Sequence, residues 1–303
     1  KERLNMETRW LYTTSENFSR LRDASEKVCV IPMGCIEKHG LHLPLGTDIV
    51  KGSYIAHRAS QLETVCIFPD FTFGDVPRGT HAERPDGTVC LDVRMQMTLL
   101  EQLCDEIAAN GFTKILVANS HGGNTHWLNQ FSRNWNMKPH KAVFAWTKVD
   151  IKVAPYGMAE LLLEKGTGSI PELTKEDEEL ILRYYKENIL MGHACFGETA
   201  LVMAAAPESV HLDRLGIESG LPLNLPEVQK LADAGVNIAD GGWEYKYPNW
   251  YSGHDPIGIN ERIAEAAARL ASEKLAKAYK AFKEDTFLLE QAKKAYHDKS
   301  YFD

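Results

Sequence analysis

The stretch KVCVIPMGCIEKHGLHLPLGTD, residues 27–48, runs from an apolar strand through a ligand-rich bend into the start of a helix. Residues 27–34 are β-rich and almost continuously apolar, the pattern of a strand covered on both faces. Past Gly34 the character changes, and Glu37, His39, His42 and Asp48 crowd into a Gly/Pro-shaped turn. Side chains two apart in an extended segment share a face, so Glu37 and His39 converge just beyond the strand's carboxyl end. Open α/β sheets place their ligands there. Asp48 follows the turn through Pro44 and Gly46 and can fold back to the same spot. A plainer reading makes Glu37 and His39 surface residues and Thr47/Asp48 a helix cap, but the grouping as a set favours a site.

Working outward, TVCIFPDF (64–71), KILVANS (114–120) and KAVFAW (141–146) repeat the short apolar strand pattern. Helical patterns lie between them. One starts at Thr47/Asp48, one runs from Val93 into Gly111, and one is NTHWLNQFSRNWN after the third strand. Strands alternating with helices predict βαβ units and an α/β fold in layers. A single domain over 1–303 is expected. Residues 151–191 read as an insertion or lid, with a helix opened by Thr174, and 241–258 as an aromatic ordered loop. From about 259 the chain is helical and amphipathic to Ala281, with a charged helical tail at about 282–303.

Basic residues number 34 and acidic ones 42, a net charge of −8 that provides no electrostatic footprint for nucleic acid or an anionic membrane. No apolar run approaches the roughly 20 residues that cross a bilayer, and no charged-then-apolar signal segment opens the sequence. The six cysteines lack C-x-x-C spacing and several sit in apolar runs, which suits free thiols in a reducing cytoplasm.

Two further motifs carry chemistry. NSHGGN (119–124) presents His121 at the end of the third strand, with Gly122-Gly123 before a helix. The pair could instead cradle a phosphate, but no G-x-G-x-x-G or GK[ST] signature accompanies it. GHACFGETALVMAAAPE (192–208) places His193 and Glu198 in a Gly-flanked loop before an apolar helix, where Glu198 could also serve the first helical turn. Glu37, His39, Asp48, His121 and Glu198 together form a carboxylate–imidazole set suited to Zn²⁺, Mn²⁺ or Fe²⁺. Three carboxylates exceed what one ion needs, and two ions bridged by one of them account for the excess. His42 falls out of step with the Glu37/His39 face and reads as support or packing. His81, Trp127, Trp243 and Trp250 are expected at a substrate pocket, each with plain packing or a surface role as the alternative.

These motifs resemble the creatininase family. GCIEKHGLHLPLGTD, NSHGGN and GHACFGETALVMAAAPESV carry the resemblance, and GTHAERPDGTVCLD and SGHDPIGINE extend it, over about residues 28–275. The resemblance implies a three-layer α/β/α sandwich with a mostly parallel sheet, a two-metal centre and a homo-oligomer, often a hexamer. Glu37 and His121 would hold one ion and His39 the other, Asp48 would bridge, and His193 would act in acid/base chemistry. The sequence departs from creatininases proper at Gly123, where they carry a Glu ligand. Glu198 is expected to replace it, as ligand or catalytic group, and creatinine becomes a less apt substrate. The expected activity is hydrolysis of a cyclic amide or other C–N bond in a small molecule by metal-activated hydroxide. Alternatives are a family hydrolase acting on a cyclic keto-polyol, a non-catalytic metal-binding protein, and a nucleotide-binding module built on His121-Gly122-Gly123.

Overall fold

The structure, a computed structural model, describes residues 6–76 and 85–296. At its centre are β1 (Val28–Met33), β2 (Cys66–Ile67), β3 (Lys114–Asn119) and β4 (Val143–Lys148). They form one four-stranded sheet in the order β2-β1-β3-β4, with every pairing parallel. Between and after the strands run α1 (Ser15–Ala24), α2 (Thr47–Leu62), α3 (Val93–Ala109), α4 (Asn124–Asn136), α5 (Tyr156–Lys165), α6 (Lys175–Lys186) and α7 (Phe196–Ala205). Then follow α8 (Pro226–Asp233), α9 (Trp243–Lys246), α10 (Glu261–Glu284) and α11 (Phe287–Tyr296).

Strand alternation divides the core in two. Val28 and Val30 of β1 and Leu116 and Ala118 of β3 face one helical layer, with Ile55, Phe196, Leu201 and Ile263. Cys29, Ile31, Ile115 and Val117 face the other, with Leu21, Leu100, Leu128 and Phe131. Both faces being covered explains why the strands read as unbroken apolar runs. The expected α/β sandwich with helices on both sides of the sheet is what forms.

Two expectations need correction. The second strand is only two residues long: Pro69 has no N–H to give the ladder, and pairing resumes as a single Met33–Phe71 bridge. Thr47 and Asp48 do not cap α2. Its N-cap is Gly46 without a side-chain bond, while the Thr47 hydroxyl donates to the Pro44 carbonyl at 2.7 Å. Asp48 is thereby left for other work.

Residues 151–191, read above as an insertion or lid, contribute Met158, Ala159, Leu162, Ile170 and Ile181 to the same core as α2, α7 and α10. Thr174 and Asp177 form the capping box of α6. Asp177 also takes hydrogen bonds from Asn260 and Arg262 at the start of α10, at 2.7 Å each for the shortest.

Candidate metal centre

β1 and β3 are adjacent, and Met33 pairs with Asn119, so both strands end side by side. Glu37 and His39 follow β1, His121 follows β3, and Asp48 lies in the first turn of α2. A fourth segment, the 192–195 loop, enters beside them through a bridge between His193 and Ser252. α7 then carries Glu198 in its first turn. All five predicted ligands are buried, none more than 8 % exposed.

They meet in two adjoining groups. In the first, His121 Nδ1 stands 3.0 Å from Glu37 Oε1 and 2.9 Å from Asp48 Oδ2. The opposite nitrogen, Nε2, is 2.7 Å from the Asp75 carbonyl, which can only accept, so Nε2 carries the proton and Nδ1 faces the carboxylates. In the second, His39 Nε2 lies 3.7 Å from both Asp48 Oδ1 and Glu198 Oε2. His39 Nδ1 donates to the Glu37 carbonyl at 3.1 Å, and Nε2 is left with no hydrogen-bond partner. Asp48 belongs to both groups, one oxygen to each.

The donor set fits a divalent cation. Imidazole nitrogens fixed by carbonyls on their far side, with buried carboxylates converging on their near side, are the arrangement that orients metal ligands. Cys35, Glu37, Asp48 and His121 offer atoms within 4.8 Å of one another, as do His39, Asp48 and Glu198. In the protein alone, burial pushes the Glu37 carboxyl up, but His121, His193 and His39 outweigh it and hold its pKa at about 2. Burial disfavours charge on His121, yet Glu37 and Asp48 raise its pKa well above the ordinary value. The carboxylates of the cluster are therefore held ionised.

His193 stacks on His39 with ring centroids 3.9 Å apart. Its Nε2 is 2.7 Å from the Lys38 carbonyl, so the unprotonated Nδ1 points inward, 3.6 Å from Glu37 Oε1. Burial, and next the neighbouring His39, lower its pKa. His42 sits outside the cluster, its Nε2–H reaching the Ala194 carbonyl at 3.0 Å and Thr199 Oγ1 at 3.2 Å. It ties the first motif to the third.

Trp243 meets His193 edge-on at 5.5 Å, and Trp250, buried, packs edge-on against Trp243 at 5.9 Å. Trp127 belongs elsewhere: it packs in the core against Phe71 and Phe131, with its N–H on Asn124 Oδ1. Its place on the buried side of α4 makes it a core residue rather than a pocket wall. His81 lies outside the described residues.

Gly123 has a steric reason for having no side chain. A Cβ there would come 2.5 Å from the Asp75 carbonyl and 2.6 Å from His121 Nε2, the two partners that fix the His121 ring. Two residues escaped the reading of the sequence. Cys35 donates to Asp48 Oδ2 at 3.1 Å. Lys51, entirely buried, pairs with Asp48 Oδ1 and stands 2.9 Å from Glu198 Oε1. Spacing was the available signal: Cys35 is two residues before Glu37 in extended chain, and Lys51 three after Asp48 on one helix.

Fold and cluster define an α/β protein with a metal-competent site at the carboxyl edge of a parallel sheet. The chain belongs to the creatininase family, whose sequence model, described as Creatinine amidohydrolase, matches residues 12–279. It is a hydrolase of that family. It is 21 % identical to the creatinine amidohydrolase of Pseudomonas putida over 197 residues, 63 % of this chain and 69 % of that protein. Over 165 residues, 52 % of this chain and 67 % of the relative, it is 27 % identical to a Methanobrevibacter smithii enzyme. That enzyme is the 2-amino-5-formylamino-6-ribosylaminopyrimidin-4(3H)-one 5'-monophosphate deformylase. A Bacteroides fragilis crystal structure shares the fold with a TM-score of 0.67 and 20 % identity, covering 93 % of this chain and 98 % of that one. Other solved creatininases of this fold, 16 % identical with TM-scores of 0.66, are described as Mn and Zn-Zn forms; about 92–93 % of this chain and 100 % of each are covered.

Proposed function

We propose that the chain is a metal-dependent hydrolase that cleaves a C–N bond at the carbonyl of a small cyclic amide or formamide. The observation that carries the reading is the His121 ring, held by the Asp75 carbonyl on one side and aimed at two buried carboxylates on the other. Glu37, Asp48 and His121 would hold the ion, with Zn²⁺ or Mn²⁺ the best match to two oxygens and one nitrogen and Fe²⁺ a further fit. A divalent ion there supplies Lewis acidity towards a carbonyl oxygen and brings the pKa of bound water near 7.

The chain's own groups do the rest. His193 presents an unprotonated Nδ1 because Lys38 occupies its other nitrogen. It therefore takes a proton first and delivers it to the leaving nitrogen afterwards, a contribution typically of about 10²–10⁴-fold. Trp243, backed by Trp250, would wall the site on the His193 side. His39, Asp48 and Glu198 form a second group that would accept another cation.

The names of the two curated relatives, an amidohydrolase and a deformylase, support an amide-type carbonyl as the target. Creatinine itself is disfavoured, because Gly123 has no room for the carboxylate that the resemblance places there. The reading includes assembly as a homo-oligomer, a hexamer by family resemblance, in the cytoplasm. Six free cysteines are compatible with a reducing compartment, and no described helix is long and apolar enough to cross a membrane.

The test is turnover of lactams, formamides, short peptides and cyclic ketones by chelated enzyme and by enzyme reloaded with Mn²⁺ or Zn²⁺. Hydrolysis of a lactam or formamide that disappears on chelation and returns on reloading is expected. Turnover confined to cyclic ketones would shift the assignment to keto-polyol cleavage. Absence of any turnover with ion bound would overturn the enzymatic reading.

A further inference from the structure

We propose that the ε-ammonium of Lys51 is the resident cation of the second group, so that this chain completes its centre with one divalent ion rather than two. The inference rests on the metal-dependent reading above and concerns how many ions that site takes.

Lys51 has no exposure at all, and its Nζ contacts Asp48 Oδ1 and stands 2.9 Å from Glu198 Oε1. Those are two of the three side chains that would otherwise hold the second ion, the third being His39. Lysine is almost never fully buried unless paired, and among the described residues this one pairs with Asp48 and Glu198 of the cluster. Its position three residues after Asp48 on α2 places both on one helix face, so the contact is built into the helix.

Charge balance points the same way. Glu37, Asp48 and Glu198 bring three negative charges into one buried cluster. Lys51 and one divalent ion bring three positive charges and neutralise them. A second divalent ion would leave excess positive charge beside an ammonium, in an environment where water screens little.

The unpartnered Nε2 of His39 then becomes informative. An ammonium fills the carboxylate side of the second group and leaves the imidazole without a bond. Removing Lys51 would leave His39, Asp48 and Glu198 already gathered for a second ion. The site thus lacks the carboxylate that the resemblance places at Gly123 and holds an ammonium at Lys51.

Elemental analysis of protein saturated with Zn²⁺ and desalted tests this directly. About one equivalent per chain is expected for the natural sequence and about two for Lys51→Met. Two equivalents in the natural sequence, or one in both proteins, would overturn the proposal and leave the hydrolase reading intact. No bound ion in the natural sequence would defeat the metal-dependent reading itself. If Lys51→Met does not fold, electron paramagnetic resonance of the Mn²⁺-saturated natural protein decides. The spectrum of isolated Mn²⁺ supports a single ion, and a spin-coupled pair refutes it.

Discussion

At Gly123 the backbone rather than a side chain makes the site. A methyl group there would press on the Asp75 carbonyl and His121 Nε2 together, turning the imidazole away from Glu37 and Asp48. Gly123→Ala should therefore weaken Zn²⁺ binding by about 10–100-fold, the usual loss when a ligand's outer partner is disturbed. Competition against a chromophoric chelator measures it, and unchanged affinity would show that the Asp75 contact does not orient His121. The clustering of Glu37, His39, Asp48, His121 and Glu198 was legible in the sequence because each sits in a Gly/Pro-shaped segment at a strand or helix end. Lys51 was not, since a lysine within an amphipathic helix reads as a solvated residue. Burial is a tertiary fact, and spacing gains its meaning for Lys51 and Cys35 only once burial is known.

Among the elements, α3 and α4 follow the sequence pattern closely, because apolar period, the Asp92 cap and Gly111 act locally. The segment 151–191 does not. Its Gly/Pro loop and charged helix suggest a lid, but α5 packs Met158, Ala159 and Leu162 into the main core. Asp177 fastens the start of α6 to the start of α10 through Arg262 and Asn260. We propose that this segment is part of the folding core. Asp177→Ala removes the α6 capping box and strands Arg262 and Asn260, which should cost about 2 kcal/mol. Urea unfolding followed by circular dichroism would read this as a lower midpoint at unchanged slope. Retention of the full midpoint would assign the segment to a detachable lid.

For the whole molecule, the first and third motifs are joined through His42, whose burial pushes its pKa from 6.5 down to about 4. Its Nε2–H binds the Ala194 carbonyl, so the neutral ring is the form that the fold accommodates. A depressed folded-state pKa contributes stability above pH 6.5 that is lost as pH falls from there through 4, here about 3 kcal/mol. Denaturant titrations of metal-free protein should show this slope and lose most of it in His42→Gln. An equal slope in the variant would remove His42 from the account. The layered fold itself was legible from four apolar runs and the helices between them. The arrangement of the site was legible only in outline, since sequence can gather ligands at strand ends but cannot show that Asp48 divides its two oxygens between an imidazole and an ammonium. The central claim is that Glu37, Asp48 and His121 hold a catalytic ion, and anomalous scattering from Zn²⁺-loaded crystals tests it most directly. A peak within bonding distance of all three side chains, about 2.0–2.2 Å from each ligand atom, is predicted. A fully loaded crystal with no peak there, or with its peak elsewhere, would contradict the account.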